Sequence, residues 1–471
     1  MRIGRLAGVV LAAACGLCTS MAGAKAAMPM AGNSAHAKFF LKAGDRVCFY
    51  GDSITEQRFY GVDTQTYAIT RFPNMKVMFV NAGVGGDKVT GGWAGPINVR
   101  LKRDVFPFKP NVVTIMLGMN DAAYQAFNPA IFNTYRQGYI HLVNALKRHL
   151  PGVKIILIQP SPYDDITQPL NFPGGYNAVL LRYAAFVKRL AAKDHLMCVN
   201  FNRPLVNLMK QLMKKSKTLA AGVVPGRVHP SPVGQLIMAA ALLKAWHAPS
   251  LVSAVRIKSG HLTAARNTVV THLSTVGGLS WVQKDRCLPM PMMTLHENWP
   301  QFPPEGLWPA PQPNFSYNNP LTAAVLQQTH LYRQLDREML RVGGLAGGQY
   351  RLEINGAPVG VFSASELAKG INLARYPTPM LKQAYHVMAM VWRFTEVRFY
   401  AWRHIELPVE GYFPPWTPGQ PLPVSGGKAK RIAHLDKKLV NAIYSTLPHE
   451  LATIYAAARP QMDHYQLVPV K

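Results

Sequence analysis

The chain has 471 residues, 49% of them hydrophobic, and a formal charge of +28 at pH 7. Its length exceeds one average domain, so two structural units are expected, and the composition excludes a disordered, collagen-like or cysteine-stapled chain. The basic residues are dispersed, with no dense run, so the charge reads as a solvated surface suited to an anionic envelope and not as a nucleic-acid footprint. Polyanion binding is the alternative, and salt-sensitive retention on heparin or DNA would reveal it.

The N-terminus "MRIGRLAGVVLAAACGLCTSMAGAKAA" places Arg2 and Arg5 before an apolar run from Leu6, followed by small residues around Ala24 and Ala26. This is the pattern of a signal peptide over residues 1–26, too short to span a bilayer comfortably, and it implies a secreted or periplasmic protein. With that leader removed, Cys48, Cys198 and Cys287 remain. The odd count and the apolar runs around Cys48 and Cys198 favour buried free thiols.

From Arg46 to Ala248, short apolar runs alternate with helical patterns. The runs are "RVCFYG", "KVMFVNAG", "VVTIMLG", "KIILIQP" and "LMCVNFN". Between the third and fourth, a helical period gathers Tyr135, Tyr139, Leu142, Val143, Leu146 and Leu150 on one face, and Tyr176 to Lys193 behaves similarly. Strands of this kind joined by helices predict βαβ units and a buried parallel sheet.

After Pro249 the character changes. "LVSAVRIKSG", "NTVVTHLSTVGG" and "LSWVQKDRCLPMP" read as short strands, and Pro289 to Pro320 as a long loop rich in proline and aromatics, among them Trp299 and Trp308. Asn355-Gly356 between two alternating runs signals a hairpin. Helical segments are expected from Ser365, from near Pro379, and from about Ala429 to Ala458, with a Pro/Gly linker from Pro414 to Gly427. The resulting division is a signal peptide over 1–26, a first domain over 38–250 and an α+β accessory region over 251–471.

In an open parallel sheet, ligands bind beyond the carboxyl ends of the strands. "YGDSITE", "NAGVGGDKV" and "LGMND" follow the first three strands, and "VVPGRVHPSPVGQ" follows the fifth. Taken singly, Ser53 is as well explained as a helix N-cap, Gly86 as part of a tight turn, Asn120 as a turn residue and His229 as a structural histidine. Their convergence on one rim is what points to chemistry: a hydroxyl at a helix N-terminus, amides that can approach an oxyanion, and a base.

Together the four blocks resemble the SGNH, or GDSL-type, hydrolases, whose signatures stand here in the family's order as "GDSIT", "NAGVGGD", "GMND" and "VHPSPVGQ". The resemblance covers about Arg46 to Ala248. It implies a three-layer α/β/α fold with a five-stranded parallel, flavodoxin-like sheet, and ester hydrolysis without cofactor or metal. Ser53 then takes the nucleophile's place and His229 the general base's. The amides of Ser53 and Gly86 and the Asn120 side chain form the oxyanion hole. Export turns the expectation toward acyl esters, acetyl foremost, on carbohydrate, with Trp299 and Trp308 as residues able to stack on sugar; a lipid or aryl ester stays open.

One position departs from the family. The Asp that stands three residues before its histidine is here Gly226. Losing that carboxylate in a serine hydrolase costs about 10⁴-fold in rate. Either another acceptor orients His229, such as a carbonyl near Val224 to Gly226 or the carboxylates of Asp164 and Asp165; or the site has decayed into a glycan- or acyl-binding protein; or a register shift gives His229 another role. Asp52 and Asp121 are read as braces for their loops.

Overall fold

The computed structural model describes residues 38–292, 320–413 and 427–470, without the side chains of 427–436. The expected signal peptide and the stretch carrying Trp299 and Trp308 lie outside them. The described residues from Phe39 onward form one compact unit.

Five parallel strands make the central sheet: β1 (Arg46–Gly51), β2 (Met78–Gly83), β3 (Val112–Met116), β4 (Lys154–Gln159) and β5 (Met197–Asn200). Their order is β2-β1-β3-β4-β5. Every residue of β3 is buried, as are all but the first of β1 and β4, which is why these strands read as unbroken apolar runs. The flavodoxin-like order places its switch point between β1 and β3, where a crevice opens above the strand ends.

Six helices of the first half matter for the site: α1 (Ser53–Glu56), α2 (Phe59–Arg71), α3 (Pro129–His149), α4 (Tyr176–Lys193), α5 (Asn202–Met213) and α6 (Pro232–Ala245). α3 starts where Asn128 caps the amides of Ala130 and Ile131 and Pro129 supplies a pre-set φ. It buries Tyr135, Tyr139, Leu142, Val143 and Leu146, and Tyr135 packs on Tyr183 of α4. α2 and α6 pack against each other on the opposite layer. Both are buried almost all round, since part of the second half closes over them.

That second half is an α+β region. Strands β6 (Leu251–Lys258), β7 (His261–Arg266), β8 (Thr268–Ser274), β9 (Leu279–Asp285), β10 (Arg337–Gly343), β11 (Gln349–Ile354), β12 (Ala357–Ser363), β13 (Ile371–Asn372) and β14 (Met462–Val470) form two sheets. The orders are β8-β9-β14-β11-β12, wholly antiparallel, and β13-β10-β6-β7, in which β10 and β6 run parallel. The hairpin of β11 and β12 turns at Asn355 and Gly356, whose φ of 53° and 76° are those of a type I′ turn. β14 differs from the sequence expectation, which ended the ordered pattern at a helix near Ala458. It sits in the middle of a sheet between β9 and β11, a placement decided by partners more than a hundred residues away.

Two long helices complete the region, α7 (Pro379–Tyr400), capped by Thr378, and α8 (Gly427–Ala457). α7 lies on α2, with Phe59 stacked on Trp392 at 5.2 Å. Buried ion pairs tie the halves: Arg58 to Glu396 at 2.7 Å and Arg71 to Asp336 at 3.0 Å. Val62 and Ile69 of α2 belong to the same apolar core as Trp281, Leu352 and Val391. Among the described residues Cys48, Cys198 and Cys287 are free thiols, and no helix is long and apolar enough to cross a membrane.

Candidate active site

Ser53 is the first residue of α1, immediately beyond β1. Asp52 caps this short helix, its carboxylate accepting from the Ile54 amide at 3.0 Å. The Ser53 amide is therefore one of the helix's orphan donors, and it points to no acceptor among the described residues. Ser53 Oγ lies 2.8 Å from His229 Nε2. These residues are 176 positions apart, so only the sheet and α6 bring them together.

The histidine loop is fixed from its far side. Ser231 caps α6 by accepting from the Gly234 amide at 3.3 Å, with Pro232 as first helical residue. Gln235, fully buried, donates to Gln57 Oε1 at 2.7 Å and accepts from the Tyr60 amide at 3.2 Å, pinning α6 to the start of α2. Half-buried, His229 has its pKa pulled below 6.5 by desolvation, so the neutral imidazole is favoured.

The loop after β2 is bound to the first loop through Asn81, which donates to the Thr55 carbonyl at 2.6 Å and accepts from the Gly83 amide at 2.9 Å. At its crest Gly86 is exposed and has φ +74°, a conformation that costs a Cβ-bearing residue energy. Its amide makes no hydrogen bond among the described residues. Asn120, near the start of the third loop, donates through Nδ2 to the Asp87 carbonyl at 3.0 Å and accepts at Oδ1 from the Tyr124 hydroxyl at 2.9 Å. One Nδ2 proton is left over. The rim thus gathers a hydroxyl, an imidazole and three N–H donors.

Beneath the rim lie three carboxyl groups. Burial, then the neighbouring Asp121 and Asp87, pushes Asp52 up to about 8 against the pull of the Ile54 amide. Burial likewise raises Asp121 to about 7, and its Oδ1 accepts from the Val89 amide at 2.9 Å. Asp87 is also raised by burial, opposed by its ion pair with Arg100 at 3.1 Å. Both Asp52 and Asp121 brace loops, through the amides of Ile54 and Val89.

The surroundings of His229 Nδ1 bear on Gly226. Gly226 has φ +64°, with no atom within 4 Å of where a Cβ would stand. Asp164 is occupied by its own turn, accepting from the Ile166 amide at 3.0 Å, the Thr167 amide at 2.9 Å and the Thr167 hydroxyl. Asp165 accepts from the Asn177 amide in the first turn of α4 at 2.6 Å. The Val224 carbonyl accepts from the Arg227 amide. None of these groups bonds to His229, and among the described residues no protein group bonds to Nδ1.

Sequence reasoning missed two sets of residues. One is an aromatic wall in which Tyr124 stacks on Tyr176 at 5.0 Å, and Tyr163 meets Tyr176 edge-on at 5.1 Å. Tyr124 and Ala123 both have φ 56°, a left-handed pair unusual for a bulky side chain and one that turns the Tyr124 hydroxyl onto Asn120. A tyrosine four residues after Asn120 was the only available hint. The second set comes from the accessory region. Arg403 pairs with Glu56 of α1 at 3.2 Å and lies over the Trp93 ring at 4.2 Å. Trp93 in turn donates to the Gly85 carbonyl at 2.8 Å. Val84 and Ala94 pack with Leu407, Trp402 and Tyr412. The second half therefore buttresses the loop that carries Gly86.

Residues 49–237 match the GDSL-like lipase/acylhydrolase family. An acetylxylan esterase of Geobacillus stearothermophilus is 27% identical over 225 residues, 43% of this chain and 94% of that protein. Among solved structures, a gut microbial diltiazem-metabolizing enzyme is 24% identical over 91% of this chain and 98% of its own, with a TM-score of 0.72. Its fold therefore runs through both halves. A structure of an acetylxylan esterase from Geobacillus stearothermophilus is 24% identical over 44% of this chain and 96% of its own, with a TM-score of 0.36.

Proposed function

The chain belongs to the GDSL-like lipase/acylhydrolase, or SGNH, family of carboxylic ester hydrolases, and from that premise we propose that it removes acyl groups, acetyl foremost, from carbohydrate esters through Ser53 and His229. The observation that carries the reading is the 2.8 Å contact between Ser53 Oγ and His229 Nε2. It puts a hydroxyl and a neutral base in hydrogen-bond reach at the mouth of a donor-lined rim.

As Ser53 Oγ attacks the acyl carbon, its proton passes to His229 Nε2. The carbonyl oxygen becomes an oxyanion, for which the amides of Ser53 and Gly86 and the spare Asn120 Nδ2 proton are placed. One such donor is worth about 3–4 kcal/mol of barrier. His229 then protonates the departing alcohol oxygen, leaving an acyl-serine. Water, deprotonated by the same nitrogen, releases the acid and restores Ser53. No step requires a metal or cofactor. Acetyl on a sugar is favoured by the acetylxylan esterase relative, and the tyrosine wall of Tyr124, Tyr163 and Tyr176 offers ring faces beside the rim.

The test is turnover of 4-nitrophenyl acetate and of acetylated xylo-oligosaccharides by the full chain. Ser53→Ala and His229→Ala should each lower kcat by at least about 10³-fold. A Ser53→Ala variant that keeps its activity overturns the proposal. A second reading, a decayed domain that binds acyl groups or glycans, is favoured by one observation: no described residue orients His229 Nδ1. It predicts saturable binding of the acetylated oligosaccharide by wild type without turnover. We further propose a signal peptide at 1–26 and a secreted or periplasmic location, tested by sequencing the N-terminus of exported protein.

A further inference from the structure

A cavity of about 730 Å³ lies away from Ser53, Gly86, Asn120 and His229, between the β1–β2 edge and helices α7 and α8. Its apolar wall includes Phe49, Phe79, Phe394 and Leu447. Its charged lining is unevenly matched. Asp104 is held by Arg100, by Arg103 and by the Trp402 indole at 3.0 Å. Glu410 pairs with Arg103 at 3.1 Å, Glu406 accepts from the Tyr444 hydroxyl at 3.2 Å, and Arg58 is neutralised by Glu396 at 2.7 Å. Outside these ion pairs stand Glu406, the Lys437 ammonium and two guanidiniums. Arg46 donates only to the Phe108 carbonyl at 2.6 Å and contacts Met78 Sδ at 3.7 Å. Arg398 lies against the rings of Phe108 at 5.1 Å and Tyr444 at 5.8 Å, feels Glu406 and Arg46 at longer range, and has no carboxylate within 4 Å among the described residues. Both guanidiniums lie over the ring of Phe108, with Arg46 at 4.2 Å. Burial holds Arg398 below the usual arginine range, against smaller opposing pulls from Tyr444, Cys48 and Glu406.

We propose that this cavity binds an amphiphilic monoanion, a carboxylate on an apolar chain, with its head on Arg398 and Arg46 and its tail along Phe49, Phe79, Phe394 and Leu447. A guanidinium fork matches a carboxylate in two parallel hydrogen bonds, and the cavity falls within the ordinary size of small-molecule sites. The bound head supplies the close ion pair that neither guanidinium has among the described residues. A doubly charged head is disfavoured because Asp104, Glu406 and Glu410 face the same space.

The experiment is calorimetric titration of decanoate into the full chain at pH 8, with decanol, decyltrimethylammonium and decyl phosphate as comparison ligands. Wild type should bind one decanoate, and decanol more weakly. Arg398→Met should weaken decanoate by roughly tenfold or more while leaving decanol unchanged, and Arg46→Met should act the same way if the first variant fails to fold. Reaction of Ser53 with a small phosphonate beforehand should not alter decanoate binding. Five results would overturn the proposal. They are no saturable binding to wild type, decanoate affinity unchanged in a folded arginine variant, equal or tighter binding of decyltrimethylammonium, tighter binding of decyl phosphate, or loss of decanoate binding after the phosphonate, which would move the ligand into the hydrolytic site.

Discussion

Replacing Gly226 by Asp tests how far the missing carboxylate limits the reaction. The side chain has room, since no atom lies within 4 Å of the Cβ position. The backbone at φ +64° costs an L-residue about 1–2 kcal/mol, and aspartate is among the residues that visit this region most readily, so the fold should survive. If the new carboxylate reaches His229 Nδ1, it makes a charge-assisted hydrogen bond worth roughly 1.5–3 kcal/mol. Developed fully in the transition state, that is about 10- to 150-fold in kcat. The ceiling is the 10⁴-fold effect of a triad acid, roughly 5 kcal/mol. The assay is kcat and KM for 4-nitrophenyl acetate across pH, beside a Gly226→Asn control with the same backbone demand and no charge. The acid limb of kcat/KM should also move upward, since a carboxylate favours the imidazolium. A folded Gly226→Asp protein with unchanged kcat and an unmoved limb refutes the argument. An equal gain in the Asn control assigns the effect to backbone rigidity instead.

Other consequences can be read at single residues. In the wild type, His229 must be neutral to accept the Ser53 proton, and burial lowers its pKa, so the acid limb of kcat/KM should have its midpoint below 6.5. A midpoint above 7 would show that an anion reaches the ring. Tyr124→Phe removes the 2.9 Å hydrogen bond that orients Asn120; kcat should fall about 3- to 10-fold with little change in KM, and an unchanged kcat dismisses the positioning role. Glu338 is fully buried, with neither carboxylate oxygen hydrogen-bonded among the described residues, and burial, then Asp285, Asp336 and Asp463, raises its pKa far above 4.5. The folded state then binds the extra proton, so this group's contribution to stability falls as pH rises above 4.5. Glu338→Gln should therefore raise the thermal midpoint at pH 8 and change it little at pH 4.5. A gain of the same size at both pH values sinks that account.

Much of the first half was legible because its signals are local. An apolar run such as "VVTIMLG" is a strand buried on both faces, and Ser231-Pro232 starts a helix because a side-chain cap and a pre-set φ act within one turn. The hairpin at Asn355-Gly356 is legible for the same reason. Polar clusters at strand ends are likewise what mark Ser53, Gly86, Asn120 and His229 as candidates. β14 was not legible: "MDHYQLVPV" follows a helix, carries a proline, and becomes a central strand only because β9 and β11 leave a gap for it.

The sequence by itself determined the order of the five parallel strands' segments and which polar residues end them, since both follow from patterns a few residues long. Tertiary structure alone decided what those residues meet. It set the 2.8 Å contact between Ser53 and His229, turned Tyr124 onto Asn120, and committed Asp164 to its own turn and Asp165 to the first turn of α4. It also put Arg403 on Glu56 and left Arg398 beside aromatic rings without a close carboxylate among the described residues. Such pairings depend on loop closure over hundreds of residues and on competition for burial among distant groups, and no local period encodes either.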